Sequence, residues 1–431
     1  MSGQQFWKRW AALCVGGLMV LNAATVLAAP VELSLDDSIA LALKNNQSIK
    51  TAMADKENAR WSLSAAKAGK GLTADITHTA KRFKSQATST EPSFVNNNFD
   101  NSLVLTVPLY TGGNLEGKIE YAQLGLTYAD LGLESTMQQV KLDTTTDYFT
   151  VLQDRNLLKV NQDSVVDLTQ HLKNVQAQYD VGTVAKSDLL SSQVQLANAQ
   201  QDLTKAQNNY DLAVANLNNV TGLPLNTEIK LKEDLKYEKY TQSLDDCIRQ
   251  ALANRPEVKQ TDVAVAQSQA NVKIAKAGRA PNVNLQGSED WNDQSFPGVE
   301  NNNWTVAVIA KWTIFDSNST GSQIKQADAS LDKAQHTAQQ TKDSVQLEVR
   351  QAYLSMREAE KRIQTSSVTV NQAQEDYKIN EVRYSSGVGT NLDVIDAQLA
   401  LTQAKTNYIQ ALYDYNTSKA QLEKAMGVPA K

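Results

Sequence analysis

The sequence predicts an α+β protein made of one unit used twice, each copy carrying a helical segment, a β-hairpin and a very long coiled-coil α-hairpin. Three observations predict it. The same residues return at a fixed displacement, apolar residues recur every seven positions over very long stretches, and between those stretches the period falls to two.

The duplication comes first. Ser34-Leu35-Asp36-Asp37 returns as Ser243-Leu244-Asp245-Asp246, and Ala66-Lys67-Ala68-Gly69 as Ala275-Lys276-Ala277-Gly278, both displaced by 209. Beyond that the displacement is 205, which matches Tyr148 with Tyr353, Tyr179 with Tyr384, Gly182 with Gly387, Asp188 with Asp393 and Tyr210 with Tyr415. One change between two fixed registers marks a repeated unit with a variable loop, placed between Gly69 and Val107. The first repeat is 29–225, with a helix, a β-hairpin at 72–110 and a helical hairpin at 114–220. A linker, 226–242, leads to the second, 243–431, with a helix, a β-hairpin at 281–315 and a helical hairpin at 319–425. Residues 1–28 read as a secretory leader: Lys8 and Arg9 precede an apolar stretch from Ala11 to Leu21, and Val26-Leu27-Ala28 ends on a small residue. Its removal leaves Cys247 alone, so no internal disulfide is available.

Each element has a local reason. Asp36 to Ala68 reads as a helix opened by an Asp pair. Leu72 to Phe83 and Leu103 to Tyr110 read as strands, the second with Leu103, Leu105, Val107 and Leu109 on one face, separated by a polar loop from Lys84 to Asn101. In the second repeat Val283 and Leu285 mark one strand. Trp304, Val306, Val308, Ala310, Trp312 and Ile314 alternate along the next, after a polar loop from Ser288 to Asn303. Long helices follow at about 114–180 and 319–385, with return helices at about 187–220 and 391–425. In the first long helix Val151, Leu158, Val165, Leu172 and Tyr179 form a seven-residue seam, with Leu168 and Val175 at the intermediate position. Its return helix pairs Leu189, Leu196, Leu203, Tyr210 and Leu217 with Ala199, Ala206 and Ala213, one large and one small residue per heptad, which means closely packed helices. At about 1.5 Å per residue the long helices are rods on the order of 100 Å, so this protein spans a distance.

Composition removes several classes. A formal charge of −5 from interspersed acids and bases gives no field for nucleic acid, and no run after the leader approaches the roughly 18 apolar residues of a membrane helix. Three histidines and two cysteines stand too far apart for a zinc site, and no cofactor motif is complete. Gly112 to Ile119 approaches a phosphate loop but has Ile119 where Ser or Thr must hold Mg²⁺, and no nucleophile elbow is present, so no enzyme is expected. Four strands cannot close a membrane barrel, which starts at about eight, and hydrocarbon does not tolerate open edges, so oligomerisation is implied. Tyr110, Trp291, Trp304, Trp312 and Phe315 stand near the strand ends where an interfacial girdle would lie; the alternative is a soluble hairpin packed on a core.

Three segments together resemble the TolC-like outer-membrane efflux protein family: Val107-Pro108-Leu109-Tyr110-Thr111-Gly112-Gly113, Trp312-Thr313-Ile314-Phe315-Asp316, and the run from Tyr384 to Gln398. The resemblance covers both repeats. It implies a homotrimer with a 12-stranded β-barrel in outer-membrane lipid above an α-helical periplasmic tunnel. It further implies a periplasmic adaptor and an energised inner-membrane transporter of the RND, MFS or ABC type, to which the tunnel adds a passive exit. Matching aspartates in the family constrict the periplasmic entrance, here Asp393 and Asp396, which are three apart and share a helix face. Asp393 could equally serve its helix N-terminus. Asp188 and Tyr384 match residues of the network that holds the entrance shut, and Gly182, Thr183, Gly387 and Thr390 match the tips an adaptor grips. An arginine of that network is missing, with Gly389 in its place. A non-conducting coiled-coil tether between envelope layers is the competing reading, and the two-faced strands speak against it.

Overall fold

The computed structural model describes residues 31–87 and 92–430; the expected leader lies outside them. The first repeat runs β1 (Val31–Leu33), α1 (Leu35–Asn45), α2 (Gln47–Ala68), β2 (Thr73–Ser85), β3 (Phe94–Tyr110), α3 (Asn114–Asp180) and α4 (Lys186–Thr221). The second runs β4 (Ile229–Leu231), α5 (Leu244–Asn254), α6 (Pro256–Ala277), β5 (Asn282–Asp293), β6 (Asn301–Lys311), α7 (Ser319–Ser385) and α8 (Asn391–Ala425).

Capping chemistry sets the helix ends. The Ser34 hydroxyl accepts from the Asp37 N–H at 3.1 Å, and the Asp37 carboxylate accepts from the Ser34 N–H at 3.1 Å. These bonds and Lys232 pull the Asp37 carboxyl down to about 2. The single helix expected from Asp36 to Ala68 is two. Asn46 leaves helical geometry and its side chain accepts from the Ser48 N–H at 2.8 Å, starting α2 afresh. At the matching break in the second repeat, Pro256 supplies the first residue of α6.

β2, β3, β5 and β6 form one antiparallel sheet in that order. Its registers put Ile76, Leu103, Leu105, Val107, Leu285, Val306 and Val308 on one face. The other carries Thr77, Thr79, Thr106, Asn284, Gln286, Ser288 and Thr305, with Val104 and Ile309 as apolar exceptions. Leu109 departs from expectation. A register shift between Pro108 and Tyr110 sets Tyr110, not Leu109, opposite Val283, because proline has no N–H to continue the ladder. The expected polar loops are also shorter. Strand pairing continues to Ser85 opposite Phe94, and in the second repeat to Asn292 opposite Asn301, through asparagine- and aspartate-rich stretches that carry no period-two signal. Trp312 and Phe315 lie past the end of β6, and the Trp312 indole N–H donates to the Arg279 carbonyl at 3.0 Å.

The expected linker holds β4, which pairs in parallel with β1 from Val31↔Ile229 to Leu33↔Leu231. Around this ladder lies the largest core, where Tyr148, Leu152, Leu217, Val349, Met356, Tyr415 and Leu422 are buried. The tyrosine hydroxyls are satisfied at its rim: Tyr148 on the Glu233 carboxylate and Tyr415 on the Glu238 carbonyl. Buried Arg255 pairs there with Glu257 at 3.0 Å and Glu348 at 2.6 Å.

Along the rods, a small residue is buried at each heptad beside large ones such as Leu217, Leu401 and Leu422. Ser192, Ala199, Ala206 and Ala213 of α4, and Ala397, Ala404, Ala411, Ser418 and Ala425 of α8, are buried at successive heptads. In α3 the fully buried row is Ser164, Leu168, His171 and Val175, while Leu158, Val165, Leu172 and Tyr179 are half-buried flanks. A coiled-coil seam has two positions, and here the expected intermediate position is its inner one. Ala411 has no exposed surface. Ala411→Leu is therefore expected to destabilise the fold by about 1–3 kcal/mol through overpacking, read as a lower thermal midpoint.

Candidate functional site at the helical tips

Each helical hairpin reverses through the same backbone device. Gly182 and Gly387 have φ of 78° and 74°, a left-handed conformation that glycine adopts without steric cost. Their N–H groups donate to Tyr179 and Tyr384 carbonyls, and those of Thr183 and Val388 reach back to Gln178 and Arg383, closing both helix ends. No atom lies within 4 Å of where a Cβ would sit on either glycine, so the demand comes from the backbone alone.

The return helices start differently despite their matching sequence positions. Thr390 caps α8: its hydroxyl accepts from the Asp393 N–H at 3.2 Å, and the Asp393 carboxylate accepts from the Thr390 N–H at 3.0 Å. Those two bonds hold the Asp393 carboxyl below its ordinary range, with attraction from Arg383 adding to them. In α4 the equivalent capping residue is Ala185, which makes no side-chain cap, and Asp188 is half-buried. Asp396 is exposed one turn beyond Asp393, and both share an exposed face with Leu392 and Leu399.

Tyr384 packs in the tip core with Val175, Leu189 and Val394, its ring centroid 5.1 Å from that of His171. Its hydroxyl is buried and has no hydrogen-bond partner among the described residues. Burial, then the Asp188 charge, pushes the phenol pKa up. Asp188 joins this region through its backbone. The Asn391 amide donates to the Asp188 carbonyl at 3.1 Å, and the Asn391 side-chain oxygen lies 3.1 Å from the Ser192 hydroxyl and 2.6 Å from His171 Nε2. With the amide nitrogen engaged elsewhere, that oxygen accepts, so a neutral His171 carries its proton on Nε2. One asparagine thus ties the α3–α4 hairpin to the α7–α8 hairpin.

No motif or spacing in the sequence marks His171, Ser192 or Asn391 as members of one site. The available signal was a polar residue at a buried heptad position, Ser192 in the Ala199–Ala206–Ala213 row. At Gly389, a Cβ would stand 3.0 Å from the Tyr384 nitrogen and 3.1 Å from the Arg383 Cβ. This turn leaves no room for an arginine there unless it shifts. Arg383 is the cation whose field reaches Asp393.

The family model described as outer membrane efflux protein matches residues 38–223 and 247–428. The chain belongs to the outer membrane efflux protein family. Among relatives of this efflux-protein chain, the outer membrane protein TolC of Escherichia coli K12 is 24% identical over 313 residues, covering 69% of this chain and 63% of that protein. The solvent efflux pump outer membrane protein SrpC of Pseudomonas putida is 22% identical, covering 90% of this chain and 83% of that protein. The alignment thus spans less than two thirds of that TolC. The efflux-protein fold is shared with the CmeC outer membrane channel of Campylobacter jejuni, at a TM-score of 0.82 and 18% identity, covering 91% of this chain and 85% of that one. It is shared as well with VceC of Vibrio cholerae, at 0.80 and 17%, covering 92% and 97%. Like its relatives, this efflux-family chain is an outer-membrane protein.

Two outcomes follow for the tip. Asn391→Ala removes the acceptor shared by His171 and Ser192 and is expected to cost about 1–3 kcal/mol locally, seen as faster amide exchange in both hairpin ends. Burial holds the His171 imidazole below its ordinary value of 6.5, while its hydrogen bond to Asn391 and the Glu381 charge oppose this more weakly. Unfolded chains therefore take up the proton first as pH falls, so the tip is most stable above 6.5 and loosens below it. Exchange corrected for intrinsic rate should rise at the tip on acidification, and His171→Gln should flatten that response.

Proposed function

We propose that this chain is the outer-membrane duct of a tripartite efflux or type I secretion system, working as a homotrimer whose three sheets close a 12-stranded barrel. The supporting observation is the sheet itself. It has an apolar and a polar face, open edges at β2 and β6, and continues directly into paired helices of 67 residues. A tether between membranes needs long helices but no such sheet. The apolar face would meet lipid and the polar face line the lumen. Trp304 in β6 and Trp312 just past its end, eight positions apart, would mark the two interfaces, about 26 Å apart for extended chain at roughly 3.3 Å per residue. Trp291 shares the face of Trp304, while Tyr110 and Phe315 lie at the periplasmic end with Trp312.

At the far end, exposed Asp393 and Asp396 from each copy would form two stacked carboxylate rings at the entrance, attracting cations and binding divalents. Asp188 and Tyr384 would hold neighbouring hairpins in the closed arrangement. Gly182, Thr183, Gly387 and Thr390 would present the tip to a periplasmic adaptor, and an RND, MFS or ABC transporter would supply the energy. We assign the duct no cofactor and no catalytic role.

Single-channel recording in planar bilayers tests this. Wild type should show small cation-selective openings blocked by divalents, and Asp393→Ala/Asp396→Ala should lose the block. Conductance and block unchanged in that variant would place the gate elsewhere, and absence of conductance from inserted oligomers would refute the duct.

A further inference from the structure

We infer that Phe83 and Phe94 form a contact site for the transported molecule at the outer mouth of the duct, where their rings take apolar, ring-bearing solutes. The inference rests on the duct proposed above and adds to it a place where cargo is held. Chain connectivity puts both residues at the mouth. α2 leads into β2 and β3 leads into α3, so the turn between β2 and β3 lies at the end of the sheet away from the helices. With the helices in the periplasm, that end faces the outside.

The two strands outrun the rest of the sheet. β3 pairs with β5 only from Phe99 onward, opposite Asp293, and the pairing of β5 with β6 ends at Asn292 opposite Asn301. β2 and β3 go on pairing from Lys81↔Asn98 to Ser85↔Phe94, a ribbon of five residue pairs that extends about 16 Å at roughly 3.3 Å per residue. Alternation carries the two faces of the sheet into this ribbon. The outer face, which holds Ile76 and Leu103 lower down, holds exposed Arg82, Lys84, Asn97 and Val95 here. A cation turned toward hydrocarbon is costly, so Arg82 and Lys84 set the ribbon above the lipid core.

On the inner face the order is reversed. Thr77, Thr79 and Lys81 lead along β2 to Phe83, and Ser102, Asp100, Asn98 and Asn96 lead along β3 to Phe94. Just below the rings the Lys81 ammonium pairs with the Asp100 carboxylate at 3.3 Å. Two large apolar side chains thus stand at the top of a polar wall, Phe83 47% exposed and Phe94 43%. Phe83 is opposite Asn96 and Phe94 opposite Ser85, which makes the phenylalanines diagonal neighbours on one face, close enough for one bound ring to touch both.

Packing within the chain does not account for these rings. Where an aromatic braces this end of the sheet, its partners are plain: Phe296 of the β5–β6 loop meets Phe99 and His78 edge-on across the outer face, with centroids 5.7 and 6.1 Å apart. Phe83 and Phe94 enter no aromatic pair among the described residues. Apolar surface left in water and rimmed by polar residues marks a binding site. Around a three-fold axis the site recurs on each copy's stretch of the inner wall, so a solute leaving the polar lumen meets an aromatic collar before open water. Ring faces and edges hold apolar and aromatic groups, and a ring face also attracts a cation.

Block of the open channel tests the site in planar bilayers holding the full-length protein. The polar helical tips do not cross lipid, so the protein enters with its ribbons facing the chamber opposite the side of addition, and the probe goes there. Tetraphenylphosphonium should interrupt wild-type current reversibly. Phe83→Ser/Phe94→Ser should raise its half-blocking concentration by about tenfold, and Phe83→Tyr/Phe94→Tyr should leave it unchanged. Tetraethylammonium, with the same charge and no rings, should block all three forms alike and weakly. Absence of tetraphenylphosphonium block, equal block of wild type and the serine variant, or tetraethylammonium block of equal strength would overturn the contact site while leaving the duct standing. Native mass measurement reports assembly of each form. Should the double serine variant fail to assemble, Phe83→Ser and Phe94→Ser singly take its place, each expected to weaken block by about threefold, and unchanged block in both would overturn the site. No current from inserted trimers would overturn the duct on which the site depends.

Discussion

Close approach of helices through small side chains is the constraint on which this molecule depends. Ala199, Ala206 and Ala213 on α4, with Ala404 and Ala411 on α8, are buried at heptad spacing and let each return helix lie against its long partner without divergence. The large residues of the same heptads, among them Leu217, Leu401, Tyr415 and Leu422, are buried beside that contact and fill the core along it. A rod so built keeps one cross-section for its length. That constancy holds the sheet at one end and the tips at the other in a fixed relation, with the β1–β4 core bracing the middle. The glycines of α3 extend the same logic toward α6: contact between the repeats is close because nothing protrudes at Gly117, Gly125 or Gly132.

What the sequence disclosed was what local chemistry or periodicity encodes. The helical hairpins, their reversals at Gly182 and Gly387 and the one-sided β3 follow from repeats of seven and two and from left-handed glycine. Asn46 was a readable break, since an asparagine before Gln-Ser is a helix cap, but the apolar pattern runs through it. The strand extensions beyond Phe83 and Asn101 were hidden because asparagines and aspartates on both faces erase alternation. β4 was hidden because three residues are too few to show any period.

The tip was legible only in part, for a different reason. Asp393, Asp396, Asp188 and Tyr384 stood out through motif and spacing. His171 and Asn391 are 220 positions apart, and their hydrogen bond exists only once four helices have converged. Nothing local to either residue encodes the other. The resemblance to a family carried an expectation of arginine to Gly389; a Cβ there would stand 3.0 Å from the Tyr384 nitrogen, so a side chain at this position requires the turn to give by a few tenths of an ångström.

The short ladder joining β1 to β4 has a consequence for how the chain reaches its native state. Its strands are 198 positions apart, so the core they complete requires closing almost a whole repeat. Loop-closure entropy opposes that step until the long hairpin between them has formed. The hairpins, whose contacts are near in sequence along each turn, can zip from Gly182 and Gly387 outward, while the central belt waits for both ends of its span to be delivered. A polypeptide threaded into the periplasm from its first residue would thus hold β1 unpaired until β4 emerges. During that interval the strand is an open edge, and the speed with which the first hairpin collapses sets how long it stays so.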